Sequence, residues 1–249
     1  MKLLYKIPAC FCIVITLLII QSCTKQEAKI VAQQQTNFTN SSLVQVYVAT
    51  VNASRNYIYV DGAAVTGAAL ASGSLFPGGV ATIGTNVPAG LRAFLVRDTL
   101  PAATQVPLVF AENMQNGKFH TIFLYDTIST PKQKTVLTNI VIPADTTARL
   151  RFANFVFSRT DVPAVDIFSK RRGVNLFTNV KVTDVSDFIP IPSAFNDTFF
   201  VRETGTTNQL AVFNGFNATQ KRSYTLVFRG RYQTTTGTVV RTLSSFINY

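Results

Sequence analysis

The feature that most constrains this chain is that its second half restates its first. Leu95-Val-Arg97-Asp98-Thr99 matches Phe200-Val-Arg202-Glu203-Thr204 at an offset of 105, and Gly117-Lys-Phe-His-Thr121-Ile-Phe matches Lys221-Arg-Ser-Tyr-Thr225-Leu-Val at 104. Val51-Asn52-Ala-Ser54 lines up with Ala153-Asn154 at 102. A period near 100 is too long for a solenoid repeat. It is the size of one immunoglobulin-like sandwich of about seven strands.

The local pattern fits. Leu43–Val51, Asn56–Val60, Gly79–Gly84, Leu91–Asp98, Leu108–Ala111 and Phe119–Asp126 are short runs rich in β-branched and aromatic residues. Asp61-Gly62, Pro77-Gly78-Gly79, Pro88-Ala89-Gly90 and Asn116-Gly117 separate them as turns. Ala63–Ala71 holds alanines enough for one helical turn and glycines that argue against more. Lys132–Pro143 reads as a connector with an extended segment, and Ala148–Phe157 as a further strand. No stretch carries a helical stripe over three turns. The expected fold is all-β: two tandem immunoglobulin-like β-sandwich domains after a signal peptide and flexible tether. The domains span 43–130 and 145–249, with a connector at 131–144.

The amino terminus predicts export. Lys2 and Lys6 precede an apolar run from Ile7 to Ile20. At about 1.5 Å of rise per residue this run is too short to span a hydrocarbon core of about 30 Å, and it suits a signal peptide. Ile20-Gln21-Ser22-Cys23 resembles a bacterial lipobox, with a Ser-Cys junction similar to that of Bacteroidota lipoproteins. The resemblance implies cleavage after residue 22 and lipidation of Cys23, hence a cell-envelope location, most naturally the outer membrane. Cys10 and Cys12 would leave with the signal, so no disulfide or cysteine-based zinc site could form in what remains. Residues 23–42, polar and rich in Gln, Asn, Ser and Thr, read as the lipidated tether. A net charge of +11 would suggest nucleic acid in a cytosolic protein. Export directs it toward anionic lipid or glycan instead, or makes it simply a solubilising charge.

A second resemblance lies in the later repeat. Arg151-Phe-Ala-Asn154, Asp161-Val-Pro-Ala-Val-Asp166-Ile-Phe168 and Tyr224-Thr-Leu-Val-Phe-Arg-Gly230 are similar to the domain-of-unknown-function 4397 family of bacterial secreted proteins and lipoproteins. Phe155-Val-Phe-Ser stands where that family has Ala-Ser, and the first repeat shortens the Asp-x-Pro-Ala-Val-Asp loop. The resemblance implies export and a sandwich fold, and no catalytic residues.

The residues suggest binding rather than catalysis. His120 is the only histidine, and Tyr224 takes its place in the second repeat, which fits packing better than base catalysis. No Gly-x-Ser-x-Gly elbow and no Asp-x-Asp-x-Asp-Gly calcium loop occurs, and no cofactor or metal is expected. Asp161 and Asp166 bracket Pro163, and Asp184 and Asp187 could flank a turn, as aspartates that accept backbone N–H bonds do. Lys170-Arg171-Arg172-Gly173 is the densest charge cluster. It is expected on a hairpin tip between Val165–Ser169 and Val174–Phe177, as a solvated turn or as a contact for anionic surfaces. Asp98-Thr99, Asp126-Thr127 and Asp145-Thr146 resemble the O-glycosylation sites of exported Bacteroidota proteins, which makes Thr99, Thr127 and Thr146 candidates. Phe195, Phe199, Phe200 and Phe213 are worth testing as an exposed aromatic face, though most of them should be core. The function expected is a non-catalytic envelope lipoprotein binding a protein or glycan partner, and no nucleic acid; the alternative is a spacer lipoprotein without a specific ligand, and a secreted hydrolase is the least favoured reading.

Overall fold

The computed structural model describes residues 39–79, 83–194 and 196–249. Cys23, its lipobox and most of the tether lie outside these residues, as do the centre of the expected 79–84 strand and Phe195. The described residues form strands and turns with no helix, so the all-β expectation holds.

The strands of the first half are β1 (Ser41–Val48), β2 (Tyr57–Val60), β3 (Ala63–Ala64), β4 (Leu75–Phe76), β5 (Thr85–Pro88), β6 (Gly90–Arg97), β7 (Leu108–Met114), β8 (Phe119–Tyr125) and β9 (Lys132–Leu137). Those of the second are β10 (Ala148–Asn154), β11 (Val165–Ser169), β12 (Val174–Val180), β13 (Ile189–Ile191), β14 (Asn196–Glu203), β15 (Gln209–Asn217), β16 (Ser223–Arg229) and β17 (Thr242–Ile247). Four sheets result. In the first half they run β4-β1-β8-β9, with β5 also on β1, and β3-β2-β6-β7. In the second they run β13-β10-β16-β17 and β12-β11-β14-β15. The two orders correspond strand for strand, including a parallel β1/β8 pair matched by a parallel β10/β16 pair.

Register tests the repeat residue by residue. Gln45 faces Thr121 as Arg151 faces Thr225, so β8 and β16 keep the offset of 104. Ile58 faces Val96 as Ile167 faces Val201, so β6 and β14 keep 105. The third landmark shifts. Val48 faces Leu124 as Asn154 faces Phe228, so Asn154 corresponds to Val48 rather than to Asn52. Asn52 lies beyond β1 in a turn at φ 65°. Asn154 ends β10 with a buried amide that donates to Val180 O at 3.1 Å.

Strand limits also differ from expectation: Leu108–Ala111 extends to Met114, Val174–Phe177 extends to Val180, Ala148–Phe157 stops at Asn154, and β5 runs into the expected Pro88-Ala89-Gly90 turn. Within 131–144, Lys132–Leu137 is β9, paired with β8 from His120 to Tyr125, so the strand-free connection is 138–147. β1 starts at Ser41 rather than Leu43, because Ser41 and Ser42 pair with Pro88 and Val87. Asp61-Gly62 forms the β2/β3 turn with both residues at positive φ, 49° and 83°, the primed geometry that Asp-Gly favours. Gly230 is obligatory for a different reason: at φ +90°, a Cβ there would sit 2.2 Å from Val240 O.

Three apolar clusters order the sheets. Val44, Val46, Val48, Ile58, Phe94, Ile122 and Leu124 fill the space between the two first-half sheets. Leu150, Phe152, Ile167, Phe199, Val201, Leu226 and Phe228 do the same in the second half. The third cluster, Tyr47, Ala49, Phe123, Ala153, Phe155, Val227 and Phe246, joins the β1/β8 sheet to the β10/β16 sheet. Phe123 stacks on Phe155 at 4.5 Å and Tyr47 on Phe246 at 5.2 Å. Each such pair contributes roughly 0.5–1.5 kcal/mol beyond its area burial. The halves expected as separate domains therefore share a core, and the described residues belong to one compact unit.

A buried polar seam accompanies this third cluster. Arg151 Nε donates to Thr225 Oγ1 at 2.8 Å, and Nη2 donates to Thr121 Oγ1 at 3.0 Å and Thr138 Oγ1 at 3.3 Å. Thr225 reaches Asn248, whose Nδ2 donates to Gln45 Oε1 at 3.0 Å. Tyr47 Oη lies 2.6 Å from Ser244 Oγ. Arg151 is 3% exposed and forms no ion pair among the described residues. Burial pushes its pKa down to about 9, which leaves the guanidinium protonated at neutral pH.

Candidate binding surfaces

The residues singled out by sequence scatter over the molecule. Lys170, Arg171 and Arg172 occupy the expected tip between β11 and β12, all exposed. The turn is held from below. Arg171 N donates to Asp197 Oδ1 at 3.0 Å, Arg172 N to Ser169 Oγ at 3.1 Å, and Gly173 N to Ser169 O at 2.9 Å. Thr99 and Thr146 are exposed, while Thr127 is half-buried, its Oγ1 within 2.9 Å of both Ser129 Oγ and Thr130 Oγ1. The preceding aspartates tie turns: Asp98 accepts from Leu100 N, Asp126 from Thr127 N, and Asp145 from Thr147 N.

Asp166 does the turn-holding expected of its motif. It is 4% exposed and accepts from Asn179 N at 2.8 Å, Thr204 Oγ1 at 2.8 Å, Asn175 Nδ2 at 3.0 Å and Gly205 N at 3.4 Å. Asp161 is exposed. Asp184 Oδ2 accepts from Lys181 N at 3.1 Å and so closes the 181–184 turn. Asp187 is exposed three residues on. Among the described residues no three His, Cys, Asp or Glu side chains converge as a metal site.

His120 points into the first-half core, 4% exposed. Its Nδ1 lies 2.8 Å from Ser42 Oγ. The Ser42 hydroxyl donates to Lys118 O at 2.8 Å, so the Nδ1–H must be the donor to Ser42. That polarity is opposite to what an activated serine needs, since a base must accept the hydroxyl proton. Ser42 is itself only 1% exposed. Burial holds the His120 pKa below the ordinary imidazole value, with Glu112 partly opposing the shift. Register places Ala148 and Tyr224 where the first half has Ser42 and His120, so the pair is the polar version of a packing contact.

The outward faces of the two outer sheets carry the more distinctive feature. On β2/β6 the Arg97 guanidinium lies over the Tyr59 ring at 5.1 Å. At the corresponding place on β11/β14, Arg202 lies over Phe168 at 3.7 Å and Phe200 at 5.5 Å. Arg202 Nε is buried without an acceptor among the described residues, so ring faces are its chief neighbours. An exposed aliphatic side chain pairs across from each stack: Val109, 71% exposed, opposite Leu95, and Val212, 40% exposed, opposite Phe200. Of the phenylalanines singled out, Phe200 joins an outer face, whereas Phe199 is core as expected of most of them and Phe213 packs on Phe216. Arg97 and Arg202 were visible in the sequence as the repeated Val-Arg landmark. Their stacking was not, because it depends on which cross-strand neighbours the register supplies.

No known protein-family model matches this chain, and no curated protein is significantly similar to it.

Proposed function

We propose that this chain is a non-catalytic lipoprotein of the cell envelope, anchored at the outer membrane through Cys23. Its two tandem immunoglobulin-like sandwiches would hold arginine–aromatic faces toward a protein or glycan partner. The observation that carries the binding reading is the doubled stack, Arg97 on Tyr59 and Arg202 on Phe168 and Phe200. Arginine and aromatic residues are over-represented where proteins recognise partners, and exposed aliphatics beside them enlarge the apolar area. The motif residues Arg151–Asn154 and Asp161–Phe168 support kinship with the domain-of-unknown-function 4397 family. The spacer reading draws on the shared core between halves, which suits a stiff connector.

Metabolic labelling with a palmitate analogue tests the anchor: wild type incorporates label and Cys23→Ala does not. Pull-down from detergent-solubilised native envelope tests the binding reading. A stoichiometric partner retained by wild type and lost with Arg97→Ser/Arg202→Ser supports it. The same proteins with both baits, or none, favours the spacer. Replacing Lys170, Arg171 and Arg172 with Ser should weaken binding to anionic liposomes; unchanged binding removes that turn from the account. Intact mass of the native protein reports hexose on Thr99, Thr127 or Thr146.

A further inference from the structure

A cavity of about 510 Å³ opens beside the buried seam, between the end of β9, the 138–147 connection and the 185–188 loop. Its volume lies in the range of small-ligand sites. Val136, Val141, Val185 and Phe188 supply apolar walls, and Arg149 and Arg151 supply positive charge. Register gives Gln45 as the first-half counterpart of Arg151, so the charge belongs to the second half alone.

The hydrogen-bond inventory of Arg151 shows what it offers. Three hydroxyls take up Nε and Nη2. Phe188 covers one face of the guanidinium at 4.8 Å. Nη1, with two N–H donors, has no acceptor among the described residues, yet it is not one of the partnerless nitrogens sealed from solvent. A cation that is nine-tenths buried, without a carboxylate, and with one nitrogen open to a cavity lacks the neutralisation that buried charges normally find. Arg149, two residues along β10 on the same face, is half-buried and makes no side-chain hydrogen bond or ion pair among the described residues, although its charge acts at longer range on the exposed Asp145. Asp187 also lines the cavity but is exposed.

We infer that this cavity is a binding site for an organic carboxylate with an apolar body, its carboxylate held by Arg151 Nη1 and Arg149 and its body against Phe188, Val136 and Val185. The seam hydroxyls orient Arg151 and fix which nitrogen remains. Because Nε and Nη2 are already engaged, a carboxylate cannot take the side-on fork that arginine usually presents, and the second contact falls to Arg149. The site is distinct from the outer-face stacks, so its test and theirs succeed or fail separately.

Calorimetric titration of the full chain in detergent, with phenylacetate, its neutral amide phenylacetamide and sodium sulfate as probes, tests the inference. Charge-assisted hydrogen bonds should make phenylacetate bind on the order of tenfold more tightly than the amide. Sulfate should compete only weakly. Arg149→Gln, which removes no hydrogen bond of the fold, should lower phenylacetate affinity several-fold while leaving the circular dichroism unchanged. Equal affinity for acid and amide, no binding of phenylacetate, sulfate binding as tightly as phenylacetate, or wild-type affinity in Arg149→Gln would each overturn it.

Discussion

The inner and outer sheets obey different rules. The four strands at the middle, β1, β8, β10 and β16, are buried almost throughout on both faces. The outer strands β6, β7 and β15 alternate between covered and exposed residues. An inner strand faces a sandwich core on one side and the seam on the other, as doubly covered strands do in layered sheets. Buried polar groups there find most of their partners inside the protein, with Arg151 Nη1 left toward the cavity. Hence Gln45, Thr121, Arg151, Thr225 and Asn248 form one network, while Arg97 and Arg202 on the outer faces rest on rings. Position in the stack, more than residue type, decides what an arginine does here.

The largest effect should come from breaking the inner contact. Phe123→Ala or Phe155→Ala removes a fully buried ring from the stacked pair and should destabilise by about 3–5 kcal/mol in denaturant titration. The next tests the turn chemistry of the second half. Asp166→Ala strands the four donors it accepts from and should cost about 3 kcal/mol. A change near zero would mean that water or neighbours satisfy them. Arg151→Met should lie within about 1 kcal/mol of wild type, or be more stable. It removes an uncompensated buried charge while Thr121 and Thr138, 2.7 Å apart, can still bond each other. A large loss of stability would show that the guanidinium holds the seam together.

His120 sharpens the comparison between halves. Its folded pKa is lowered, so the unfolded chain takes up the proton first as pH falls. Stability should be level above the ordinary imidazole pKa of about 6.5 and decline below it. Ser42→Ala/His120→Tyr installs the second-half pair and should abolish this part of the decline. A pH profile identical to that of wild type would remove His120 from the explanation. The smallest effect belongs outside: Val109→Thr, on an exposed face, should change stability by about 0.5 kcal/mol or less.

Much of this was legible in the residues. The repeat at 104–105 placed β6 against β14 and β8 against β16, and Asp61-Gly62 marked its hairpin turn. Val165–Ser169 matches β11 to the residue because the charged turn after it ends the strand, whereas the expected Val174–Phe177 is only the first part of β12. The 102 landmark failed because Asn52 and Asn154 play unlike roles, one in a turn and one at a strand end. β9 was legible only as the extended segment of Lys132–Pro143 and not as a member of the first sheet, because Lys132-Gln-Lys-Thr lacks an apolar face and its pairing with β8 supplies what its composition does not. The seam was illegible for a related reason. Gln45, Arg151 and Asn248 each look like surface residues until two sheets from distant parts of the chain close over them.

The two halves should stand or fall together through their inner sheets. Guanidinium unfolding of the full chain, followed by far-ultraviolet circular dichroism and by tyrosine fluorescence, tests it most directly. A shared core gives one coincident transition that Phe155→Ala moves as a whole. Two separated transitions, with Phe155→Ala shifting only one, would contradict it.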